Sequence, residues 1–106
     1  MVDAVIAMTT TNTEREAKHI ASLLVGERVA ACVQIVPKIH SIYEWEGEIH
    51  DDQEYLLIIK TRESLVKRVK RLVEDNHSYE VPELLVAPAI DGLDDYLQWM
   101  KDVTKK

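Results

Sequence analysis

At 106 residues the chain fits a single domain, residues 1–106, and a fold of this size hides only about 60 to 70 per cent of its extended-chain surface. A formal charge of -6 argues against a general nucleic-acid binder, and no apolar stretch approaches the ~20 residues that a membrane-spanning helix needs. The start carries Asp3 and no basic run, unlike a signal peptide, and Cys32 is the only cysteine, so an internal disulfide is excluded and a soluble, cytoplasmic protein is expected.

Residues 4–8 (Ala-Val-Ile-Ala-Met) form an apolar run of strand length. Thr13-Glu14-Arg15-Glu16 has capping-box spacing, so a helix is predicted to start there. Its buried stripe is Ala17, Ile20, Ala21 and Leu24, and Gly26 supplies a left-handed end. Residues 30–36 read as a second strand, stopped or bent at Pro37.

Residues 39–62 read as one long β-hairpin. The polar cluster at residues 50–53 marks its expected tip, and Gly47 an expected bulge or kink. The second arm contains Tyr55-Leu56-Leu57-Ile58-Ile59 without a polar break. A strand with water on one face alternates, so this run predicts apolar cover on both faces, and in so small a chain it predicts self-association.

A second helix follows, capped by Thr61 or Ser64, with Leu65, Val66, Val69, Leu72 and Val73 as its apolar stripe and an end near Asn76. Residues 79–83 are extended before and around Pro82, residues 84–87 form a last strand closed by Pro88, and Leu93, Tyr96, Leu97, Met100 and Val103 carry helical spacing. The order is βαββαβ with an extra C-terminal helix: an α+β, ferredoxin-like antiparallel sheet with helices on one face. Charge is segregated within it. Residues 44–54 hold six acids and no Lys or Arg, whereas Lys60, Arg62, Lys67, Arg68, Lys70 and Arg71 face a single Glu63. Such runs form solvated faces or complementary contacts between subunits.

This fold hosts many functions, so the residues must choose among them. The Met8-Thr9-Thr10-Thr11-Asn12 stretch has neither the glycine-rich turn nor the arginine of a phosphate site. One cysteine cannot make a two-thiolate metal chaperone, and an acidic chain without Phe is a poor RNA-recognition module. Cys32 with His77 as base would be a nucleophile pair, but a cysteine between Ala31 and Val33 reads as a small core residue. Glu44 and Glu46 read as a solvated edge rather than an acid–base pair. His19, His40, His50 and His77, with Asp51 and Asp52, supply metal-ligand types without a specific spacing.

Five motifs then carry a resemblance: Arg28-Val29-Ala30-Ala31-Cys32-Val33, Ser41-Ile42-Tyr43-Glu44-Trp45-Glu46-Gly47, Leu57-Ile58-Ile59-Lys60-Thr61, His77-Ser78-Tyr79-Glu80-Val81-Pro82-Glu83 and Tyr96-Leu97-Gln98-Trp99. In order and spacing the chain resembles the CutA divalent-cation tolerance proteins. The resemblance implies a cytoplasmic homotrimer, similar in architecture to the PII signalling proteins, with no catalytic activity and a role in tolerance of copper and other divalent ions. It implies a ligand cleft between subunits formed by Cys32, Lys60, Tyr79, Glu80 and Glu83, taking a metal ion or a small anion. It further implies His77 as a metal ligand and Tyr43, Trp45 and Trp99 as trimer contacts. Met8 and Asn76 stand where some bacterial members carry a cysteine and a histidine linked to copper, so of those ligands only His77 transfers. The rival reading is a trimeric scaffold that docks partner proteins and has no metal site; neither reading involves nucleic acid or a membrane.

Overall fold

The computed structural model describes residues 2–105. Its elements are β1 (Ala4–Thr11), α1 (Glu14–Gly26), β2 (Cys32–Trp45), β3 (Glu48–Arg62), a 3-10 turn (Glu63–Leu65), α2 (Val66–Asn76), β4 (Leu85–Pro88) and α3 (Asp94–Val103). The strands form one antiparallel sheet in the order β2-β3-β1-β4, the expected ferredoxin-like arrangement followed by the extra helix.

Strand alternation divides the sheet into two unlike faces. On one, Ala7, Leu57 and Ile59 meet Ala17, Ile20 and Leu24 of α1 and Val69 and Val73 of α2 in the main core. The opposite face carries Ile6, Met8 and Val36, all exposed, beside half-buried Leu56 and Ile58. Only its end is covered: Met100 of α3 packs on Ala4 and Ala31 in a second, smaller core. The apolar run in β3 thus has its odd-numbered members Leu57 and Ile59 under helices, and its even-numbered members on the open face.

Several local expectations change. The hairpin turns at Glu46-Gly47, between the paired residues Trp45 and Glu48, with φ of 51° and 82°. A two-residue turn of that hand matches strand twist and requires positive φ at both positions, so Gly47 sits in the turn and is no bulge. The polar residues 50–53 lie inside β3, paired with Tyr43, Ile42, Ser41 and His40. The bulge falls instead at Pro37-Lys38, where the register shifts between Val36 and Ile39 and Lys38 has φ 58°. Proline bends β2 there without ending it.

Gly26 is the last residue of α1, and the left-handed position belongs to Arg28, φ 61°. That conformation is held by its guanidinium, which donates to the carbonyls of Val103 (3.1 Å) and Asp102 (3.1 Å) and ties the end of α3 to the body. Thr13 does cap α1, accepting from Glu16 N at 3.2 Å. The Glu16 carboxylate does not return the bond; it accepts from Ser78 N (2.9 Å) and Ser78 Oγ (3.1 Å). Neither Thr61 nor Ser64 caps α2, which is entered through the 3-10 turn. Thr61 is a buried strand residue whose hydroxyl donates to the Val29 carbonyl at 2.5 Å.

Candidate functional site

The site is built by the segment that leaves α2. His77 turns into the body, its side chain 0% exposed, and Nε2 donates to the Thr10 carbonyl at 2.6 Å. Its Nδ1 accepts from the backbone N–H of Tyr79 at 3.1 Å. Farther on, the Thr9 hydroxyl donates to the Glu83 carbonyl at 2.6 Å. With Ser78 held by Glu16, residues 77–83 are pinned against the end of β1 at several points.

That pinning aims Tyr79 at the base of the hairpin. Its hydroxyl donates to Glu54 Oε2 at 2.5 Å, and Glu54 is only 6% exposed. On the neighbouring arm the Tyr43 hydroxyl donates to the Asp52 carboxylate, and the Tyr43 ring stacks on His50. Between these groups lies a cleft of about 340 Å³, lined by Thr10, Tyr43, Trp45, Glu54, Tyr79, Glu80, Val81 and Glu83. Three of those residues are carboxylates, and none is Lys, Arg or His.

The electrostatics follow from that lining. Burial, and then the bond to Glu54, push the Tyr79 phenol well above its ordinary range, so it stays a donor. The bond to Asp52 raises Tyr43 in the same sense. Burial lifts the Glu83 carboxyl, and the nearby Glu54 charge adds to the effect. An acid raised by burial and by a neighbouring carboxylate charge marks a place where positive charge is welcome.

The structure therefore brings Tyr79, Glu80 and Glu83 together with Tyr43 and Trp45, and adds Glu54 and Thr10. It places Cys32 and Lys60 elsewhere. They are cross-strand partners in the row Cys32, Lys60, Ile6 and Ala87, six residues along β3 from Glu54, or about 20 Å. Lys60 Nζ lies 5.9 Å from the centre of the Tyr96 ring, which in turn packs on Trp99 with ring centres 5.4 Å apart. Glu54 had one sequence signal: it is the acid immediately before the apolar run. Thr10 had none, since it enters through a backbone contact with a residue 67 positions away.

A copper site would want imidazole or thiolate donors. Both His77 nitrogens are engaged, so that ring has no lone pair to offer, and Cys32 lies at the far end of β3. Among the described residues no group of three His, Cys, Asp or Glu side chains is placed to hold a metal ion. The residues present do not fit a tight copper centre.

A four-stranded antiparallel sheet with two helices on one face, a hairpin projecting from it and an added C-terminal helix defines an α+β class with a cleft at the hairpin base. Comparison with known proteins carries this to a family. The description "CutA1 divalent ion tolerance protein" matches residues 5–103, and the chain belongs to that family. It is 44% identical over 104 residues to the chloroplastic protein CutA of Arabidopsis thaliana, covering 98% of this chain and 57% of the plant protein. This chain thus spans little more than half of that relative. It is 42% identical over 99 residues to the divalent-cation tolerance protein CutA of Thermus thermophilus, covering 93% and 96% of the two chains. The crystal structure of CutA1 from Oryza sativa superposes with a TM-score of 0.96 at 42% identity, covering 99% of this chain and 96% of that one.

Proposed function

We propose that this chain acts as a homotrimer in the tolerance of divalent metal ions, without catalysing a reaction, and binds a positively charged ligand in the Glu54–Tyr79 cleft. One observation carries the ligand reading: a carboxylate that is 6% exposed opens onto a cleft whose lining includes no basic side chain. Its hydrogen-bond partner, the Tyr79 hydroxyl, is neutral, and a cation in the cleft would balance the charge as well. The tolerance role is supported by the family and by the description of the Thermus thermophilus relative. Cytoplasmic residence belongs to the same proposal and is supported by the single cysteine; among the described residues no helix is long and apolar enough to cross a membrane.

Trimer formation is supported by the open face, where Ile6, Met8 and Val36 need cover, and by the exposed Tyr43, Trp45 and Trp99. A small anion would find no welcome among Glu54, Glu80 and Glu83. Its place would be the row of Cys32 and Lys60, where burial by another copy would leave the ammonium group needing an anion.

Light scattering at micromolar concentration should return three chain masses; a stable monomer would refute the assembly. Metal-stripped protein titrated with Cu(II), Zn(II) and Ni(II) tests the rest. Because its ring is already satisfied, His77→Ala should leave any binding unchanged, whereas Glu54→Gln should weaken it. A docking scaffold is the second reading, favoured by Leu85 and Ile90, which stand 68% and 93% exposed near β4. Failure of every cation to bind would favour it.

A further inference from the structure

The loop between β4 and α3, residues 89–93, reads Ala-Ile-Asp-Gly-Leu, and Asp91-Gly92 is the only place in the chain where glycine follows an aspartate or asparagine. Such a pair is chemically special. A residue without a Cβ leaves its nitrogen unshielded and its backbone free to turn that nitrogen toward the preceding side chain. Asp91 and Gly92 are both exposed and lie outside the helices and strands, and the flanking Ile90 and Leu93 are 93% and 81% exposed. Among the described residues no ladder or helix bond holds the Gly92 N–H away from its neighbour.

That N–H donates to Asp91 Oδ1 at 2.8 Å, so the side-chain carboxyl has turned back onto the next peptide unit. The carboxyl carbon lies one bond behind that oxygen. Nucleophile and electrophile are thus held together within one chain, and closure between them needs no bimolecular encounter. Glycine is also fixed at this position. A Cβ on residue 92 would meet Leu97 Cδ2 at 3.2 Å, closer than ordinary van der Waals contact, while the φ of Gly92 lies outside the left-handed region. Packing against α3, and not backbone conformation, therefore keeps the least shielded residue next to Asp91.

We propose that Asp91 is a site of spontaneous isomerisation in the folded chain. The Gly92 nitrogen attacks Cγ of the protonated Asp91 carboxyl: the N–Cγ bond forms, the Cγ–OH bond breaks, and the amide proton leaves with the hydroxyl as one water. The product is a cyclic succinimide. Water then opens it on either side. Cleavage of the N–Cγ bond restores aspartate, whereas cleavage between the nitrogen and the main-chain carbonyl carbon leaves the chain running through Cγ, a β-linked isoaspartate of unchanged mass. The water lost in the first step is regained in the second, and no oxidant, reductant or enzyme enters. The rearranged backbone is one carbon longer just ahead of Leu93, whose carbonyl accepts the Leu97 N–H at 3.0 Å and opens α3, so the first turn of that helix must shift.

Ageing the purified full chain in warm, mildly acidic buffer tests this, with circular dichroism recording that it stays folded. Proteolytic peptides containing residue 91 should first show a species lighter by one water. An isobaric form that elutes separately should follow, identified as β-linked by electron-transfer fragmentation. Methylation by a purified isoaspartyl carboxyl methyltransferase, counted per chain, should rise on the same time course. Asp91→Glu keeps the charge at an exposed position but would have to close a larger ring, so both signals should be lost. The proposal is overturned if Asp91 stays α-linked throughout, or if Asp91→Glu accumulates as much isoaspartate as the parent. It is overturned equally if the β-linkage appears only after circular dichroism reports unfolding, because the folded loop would then protect the pair instead of presenting it.

Discussion

The two faces of this sheet are made from the same strands and differ in what finishes them. Leu57 and Ile59 are sealed by α1 and α2, whereas Leu56 and Ile58, one residue away, sit beside the exposed Ile6, Met8 and Val36. The first face is completed by residues of its own chain and the second is not. A fold can therefore be fully specified at the level of one chain while part of its apolar surface is left open, and the proposed assembly is what would cover it.

The largest effect should come from the sealed face. Leu57→Ala removes a fully buried side chain and should destabilise the fold by about 2–5 kcal/mol, measured by denaturant unfolding. A loss under 1 kcal/mol would mean that the main core is not where the fold is held. The open face should respond differently. Met8→Asp places a charge where cover is expected, so it should lower the mass seen by light scattering and make the melting temperature insensitive to protein concentration, while the circular dichroism stays folded. An unchanged trimer mass in that variant would break the distinction between the faces.

The pinned segment offers a third and smaller test. His77→Ala leaves the Thr10 carbonyl and the Tyr79 N–H without their partners, which should destabilise the fold by roughly 1–3 kcal/mol. Because neither ring nitrogen is free to ligate, it should leave the affinity for metal ions, copper included, unmoved. A large loss of copper affinity would instead return this ring to the role of metal ligand.

The order of elements was legible in the sequence because each apolar run has a period and a length that belong to one kind of element. Residues 4–8, 55–59 and 65–73 needed no partner information to be placed. The hairpin tip is not legible, because the polar residues 50–53 look like a turn, whereas they line an arm that extends past the body of the sheet. Glu46 at positive φ is not what a turn of this kind usually carries, so little in the residues marks the turn there. Arg28 hides its left-handed conformation for a similar reason: the bonds that hold it come from residues 102 and 103. Of the cleft, Tyr79, Glu80 and Glu83 were found through a motif in one stretch. Glu54 and Thr10 join them only across the fold, while strand register carries Lys60 and Cys32 to the opposite end of β3.

The smallest effect is in the pH dependence of the cleft. Burial, reinforced by the Glu54 charge, raises the Glu83 carboxyl above its ordinary value of 4.5, so the folded chain holds this proton more tightly than the unfolded chain does. In the window just above 4.5 the unfolded state binds fewer protons at this position, and stability must fall as pH rises through it. Below that window both states are protonated and the position is silent. Glu83→Gln removes the effect, so the melting temperature of the variant relative to the parent should be level at low pH and climb by a small amount as pH rises toward neutral. Affinity for a cation should move oppositely in the parent, increasing over the same interval as the carboxylate ionises and loses its proton to solvent. A stability difference that shrinks with rising pH would show that Glu83 is held by a positive group rather than pressed by Glu54, and the cleft would then be a partner's salt bridge instead of an open cation site.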